Sequence, residues 1–146
     1  MTKDSGRPIS RPSAGSARSL LAVVVGGMIG TGLRLALDLA IPHADDAFPV
    51  STIVINVAGA FALGLLVGRY WPTARDWVKA GLGPGLLGSF TTYSAFAVSL
   101  VALASADEWM LGVGYLAATV VLGLGAAWAG LRVGTPDATV IDEVSE

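Results

Sequence analysis

Residues 80–106 read AGLGPGLLGSFTTYSAFAVSLVALASA, without one charged side chain. A helix rises about 1.5 Å per residue, so roughly 20 apolar residues cross a hydrocarbon core about 30 Å thick. The stretch is long enough to span, yet its first half is a poor helix. Gly81, Gly83, Gly85 and Gly88 surround Pro84, and a cluster of hydroxyl and aromatic residues follows. Such breakers are tolerated at membrane depth only where the freed backbone groups are buried in protein or line a cavity. The stretch therefore predicts a helix broken near mid-membrane, with unwound carbonyls suited to a hard cation such as Na+.

Working outward, residues 48–68 and 109–131 are equally free of charge, and residues 20–41 are interrupted only by Arg34 and Asp38. A soluble bundle would need a polar stripe on each helix, and none is visible. The expected fold is an all-α membrane protein with four transmembrane helices, the third broken. It occupies residues 20–131, between a disordered basic tail at 1–19 and an acidic tail at 132–146. A cleaved signal peptide does not fit the first apolar run, which ends in an Arg and an Asp rather than at small residues.

Composition excludes several function classes. Only 14% of the residues are charged, the net charge is −2 and there is no cysteine. Nucleic-acid binding lacks its basic surface, and thiolate metal sites, Cys nucleophiles and disulfides lack their residue. The single histidine, His43, reads as a wet loop residue. Gly83, Gly85 and Gly88 match a dinucleotide fingerprint by spacing, but that motif needs a preceding strand in a βαβ unit. With no nucleophile elbow and no zinc-protease helix, the chain does not read as an enzyme.

The basic residues sort by side. Lys3, Arg7, Arg11 and Arg18 precede the first span, Arg69, Arg75 and Lys79 separate the second from the third, and Arg132 follows the fourth. The other two loops hold no Lys or Arg, so the positive-inside rule places both termini in the cytoplasm of a multi-pass plasma-membrane protein.

Inside the spans, Gly26/Gly30, Gly64/Gly68 and Gly81/Gly85 are small-residue pairs that let helices approach closely. Arg34 has three open readings: snorkelling, pairing with Asp38 one turn on, or drawing anions to a watery vestibule. Asn56 is the lone amide of the second span. It reads either as interhelical glue or as a donor to an anion. Tyr93 and Phe96 share a helix face with Ser94 beside them. They read as core packing or as ring edges that replace an anion's hydration shell.

Three segments, GGMIGTGLRL (26–35), NVAGAFALGLL (56–66) and GLLGSFTTYSAF (85–96), resemble in order and spacing the CrcB/Fluc family of fluoride channels. The resemblance implies an antiparallel dimer of four-helix subunits with two fluoride pores. It also implies a structural, untransported Na+ at the dimer centre, held by backbone carbonyls of Gly88 and Thr91 from both subunits. It puts Asn56, Tyr93, Phe96 and Ser94 on the fluoride path and matches Arg34 to the family's first-span arginine. Thr119, the one polar residue well inside the fourth span, would extend the polar track. The chain departs from the family pattern at Ser89, Tyr93 and Ala95, which stand where Gly, Phe and Thr are usual.

The implied activity is passive export of cytoplasmic fluoride. Because the Lys/Arg bias is one-sided, the expected partner is a related chain inserted in the opposite orientation. Two other readings remain open. A proton-coupled small multidrug transporter would need an embedded carboxylate, for which only Asp38 is available. A non-conducting subunit of an unequal pair is the other.

Overall fold

The computed structural model describes residues 14–41 and 48–135. His43, most of the expected N-terminal tail and most of the acidic tail lie outside the described residues. The described residues form helices joined by short connections, with four stretches long and apolar enough to cross a membrane. The first is α1 (Ala14–Ala40) and the second α2 (Val50–Arg69). The third is assembled from α3 (Asp76–Ala80), a π-helical segment (Gly81–Leu87), α4 (Gly88–Phe90) and α5 (Tyr93–Ser105). The fourth is α6 (Trp109–Gly134).

The span limits differ from those read off hydropathy. Helix α1 begins at Ala14, so residues 14–19 are helical instead of belonging to a tail, and Ser19 Oγ donates to the Gly15 carbonyl at 3.1 Å. Helix α6 likewise runs past Leu131 to Gly134. Hydrogen bonding continues a helix into polar sequence, which an apolar run cannot reveal.

The third span is broken as expected, and the break has two parts. Around Pro84, which lacks an N–H, the helix widens to a π turn in which Gly88 N–H reaches back to the Gly83 carbonyl. Wide turns of this kind absorb a disturbed hydrogen-bond ladder. At Thr91 and Thr92 the backbone then becomes extended, with φ/ψ of −73/156° and −142/116°. This interruption falls midway along the 76–105 span.

Helices pack in two parallel pairs. In the first, α1 lies against the π segment and α4, with Gly26 pressed on the Gly81 carbonyl and Gly30 on the Leu86 carbonyl. In the second, α2 lies along α6, with Gly64 on the Ala127 carbonyl and Gly130 on the Phe61 carbonyl. A Cβ at any of these positions would overlap backbone, so only glycine permits the approach. Where water supplies no hydrophobic drive between helices, such close backbone contact is the main source of association. A cluster of Ile53, Leu103 and Tyr115 closes the end of the bundle where α5 turns into α6. The outward faces remain apolar and exposed, as Leu20, Met28, Val101 and Leu124 illustrate.

Candidate functional site: a groove at the broken helix

The break is fastened to α2 by one side chain. Asn56 Nδ2 donates to the Thr92 carbonyl at 3.0 Å, and Thr92 N–H donates to Asn56 Oδ1 at 2.8 Å. The two bonds fix which end of the amide carries the oxygen. They also leave the second Nδ2 hydrogen unused, since a primary amide has two. Thr92 Oγ1 accepts from Ala95 N–H at 3.1 Å, capping α5, and lies 3.2 Å from Ser94 Oγ. One residue earlier, Thr91 turns both its N–H and its hydroxyl onto the Leu87 carbonyl, at 2.9 and 2.8 Å. Its methyl presses on Gly59, where a Cβ would collide with it.

Beside this junction runs a groove of about 840 Å³, open on one side. Asn56, Gly88, Thr91, Tyr93, Phe96 and Thr119 all line it, together with apolar walls from Leu63, Trp71, Leu87 and Leu124. Residues from the second, third and fourth spans thus meet on one surface. Ser94 and Arg34 are not among the groove-lining residues. Ser94 is exposed and engaged with Thr92, while Arg34 is half-buried on α1. No ion pair joins Arg34 to Asp38 among the described residues, which removes the purely structural pairing from its open readings. Thr119 donates its hydroxyl hydrogen to the Tyr115 carbonyl at 2.8 Å, so it offers the groove only an acceptor.

The aromatic pair belongs to a longer column. Tyr93 and Phe96 have ring centroids 5.9 Å apart, Phe96 and Tyr115 are 5.3 Å apart, and Tyr115 meets Phe48 edge-on at 5.8 Å. Tyr115 is fully buried, and its hydroxyl closes no hydrogen bond among the described residues, although Ser99 and Thr52 are turned toward it. Tyr93, at the other end of the column, is 80% exposed. Reading the sequence alone missed Thr92, Tyr115 and the Ser99 and Thr52 hydroxyls turned toward Tyr115. Thr92 carried a signal, since a Thr three residues before an intended helical N–H is a capping position. Tyr115 carried none, because nothing local says which way a tyrosine in an apolar run will face.

Four membrane-length helices in two glycine-sealed parallel pairs, with an interrupted span opening onto a polar-tipped groove, define a small multi-pass membrane protein. Residues 21–131 match the family model described as "CrcB-like protein, Camphor Resistance (CrcB)", and the chain belongs to that family. It is 44% identical over 123 residues to "Fluoride-specific ion channel FluC 2" of Leifsonia xyli subsp. xyli, covering 80% of this chain and 83% of that one. Geobacillus kaustophilus has two relatives, "Fluoride-specific ion channel FluC 2" and "FluC 1". Each is 35% identical to this chain, covering 80% and 78% of it and 93% and 96% of their own lengths.

Proposed function

We propose that the chain is a subunit of a fluoride-selective channel that lets cytoplasmic fluoride leave the cell down its gradient. The observation that carries this reading is the convergence of Asn56, Tyr93 and Phe96 on one groove beside the break. A small anion resists dehydration, so a pathway must replace its water with donors that do not bind too tightly. The free Nδ2 hydrogen of Asn56 is one such donor. The electropositive edges of Phe96 and Tyr93 are weaker ones. The groove holds no carboxylate, so it offers no proton-exchange group of the kind a coupled multidrug transporter requires.

A structural Na+ fits the backbone at the break. Gly88 and Thr91 are the carbonyls assigned to it. In a continuous helix they would accept from Thr92 and Ala95, but those N–H groups go to Asn56 and to Thr92 Oγ1. Both oxygens are therefore available to a hard, oxygen-seeking cation. When bound, the cation would supply a fixed positive charge between two interrupted helices. Arg34 would add to the positive field from a vestibule outside the groove.

The open side of the groove and the exposed Tyr93 are complemented by a second subunit packed in the opposite orientation. Every Lys and Arg except Arg34 flanks one end of the spans. A subunit so biased inserts with its termini in the cytoplasm. Its counterpart is then a related chain of opposite bias, in keeping with an organism that carries two numbered relatives. The test is efflux from vesicles containing this chain alone, a paralogue alone, or both. Fluoride efflux far above chloride, strongest for the pair, is expected. Equal or absent fluoride and chloride flux in every combination rejects the channel, and doubly oriented, conducting homodimers reject the unequal pair.

A further inference from the structure

We infer that Asn56 is a positioning residue that makes the candidate cation site, in addition to lining the anion groove; the inference rests on the reading of Gly88 and Thr91 as Na+ ligands. An uninterrupted helix would close Thr92 N–H onto Gly88 O and Ala95 N–H onto Thr91 O. Both donors are diverted by side chains. Asn56 Oδ1 takes the first at 2.8 Å, and Thr92 Oγ1 takes the second at 3.1 Å. Thr92 is itself held for this task, because Asn56 Nδ2 grips its carbonyl at 3.0 Å while its backbone stays extended at φ −142°. No other backbone donor among the described residues bonds to Gly88 O or Thr91 O across the break.

A side chain on α2 therefore decides whether two carbonyls on the third span are spent on the helix or left for a cation. Without the amide acceptor, Thr92 N–H is free to return to Gly88 O and the helix can heal across the gap. The same amide faces the groove, so one residue couples the anion path to the cation site, each half of its chemistry doing a different task. The acceptor oxygen frees Gly88, and the NH2 group holds Thr92 and serves the groove.

Thermal unfolding of the full chain assembled with its paralogue, titrated with NaCl against N-methylglucamine chloride at constant ionic strength, tests this without any flux assay. Wild-type protein should be stabilised by Na+. Asn56→Leu, which removes the acceptor, and Thr92→Val, which returns Ala95 N–H to Thr91 O, should each weaken apparent Na+ affinity by about five- to tenfold. Asn56→Asp keeps an acceptor for Thr92 N–H but, when ionised, loses the donor to the Thr92 carbonyl, so it should fall between wild type and Asn56→Leu. Should Asn56→Leu fail to fold, Thr92→Val decides, being nearly isosteric. Unchanged Na+ dependence in a folded Asn56→Leu or Thr92→Val overturns the positioning role while leaving the cation reading intact. Wild-type unfolding indifferent to Na+ removes the cation reading itself and the positioning role with it.

Discussion

Helix α2 makes two very different contacts along its length. Toward α6 it is joined by glycine against carbonyl, Gly64 on Ala127 and Gly130 on Phe61. Toward the third span it is joined by Asn56, whose two bonds end on the backbone of Thr92. The first contact works by shape and the second by polarity. Shape holds two regular helices together, because their own backbone bonds are complete. Polarity is needed where the backbone has been interrupted and its groups must find partners elsewhere. The groove forms at the second kind of contact, where the Asn56 amide keeps one hydrogen unspent.

The contrast can be broken first at its steric half. Gly64→Leu drives a side chain into the Ala127 carbonyl and to within about 2.8 Å of Leu131 N. It should cost at least the upper end of the ~1–3 kcal/mol typical of overpacking, seen as loss of monodisperse protein on size exclusion. Next is the polar half. Asn56→Ala strands a partly buried N–H and C=O on Thr92, so a loss of about 2 kcal/mol in thermal or denaturant unfolding is expected along with reduced fluoride flux. A variant with wild-type stability would show that water reaches the break and that Asn56 is not its fastening.

Phe96→Ala should lower fluoride efflux by about tenfold or more while the α2–α6 pair survives, because its ring faces both the groove and Tyr115. Unaltered flux with intact assembly would take the aromatic column out of the pathway. Tyr93→Phe keeps the ring edge and removes only the hydroxyl, so flux should change by less than about threefold. The smallest effect is expected at Gly123→Ala, where an added Cβ meets nothing within 4 Å. Its stability should stay within about 0.5 kcal/mol of wild type. A larger loss would mean that a partner subunit occupies that face.

Much of the groove was legible in the sequence for a definite reason. Asn56 stands out because an amide in an apolar span must have a partner, and Gly83–Pro84–Gly85 stands out because proline forbids a regular ladder. Ser94 and Arg34 were equally conspicuous as polar residues and yet do not reach the groove. Polarity identifies a residue that needs a partner without saying which partner it takes. Thr92 and Tyr115 show the converse, since their importance comes from what the fold places against them.

By itself, the sequence determined the number of spans, their order, the location of the break and the side on which the basic residues gather. Each of these follows from local chemistry: the length of an apolar run, the missing N–H of a proline, the expense of burying a charge. Only the tertiary structure decided that α1 pairs with the third span and α2 with α6, that the Asn56 amide is largely spent on Thr92, and that the groove is open on one side. Those outcomes depend on which surfaces meet across 36 residues of sequence, as they do between Asn56 and Thr92, and a pairwise contact of that kind leaves no periodic trace in the chain.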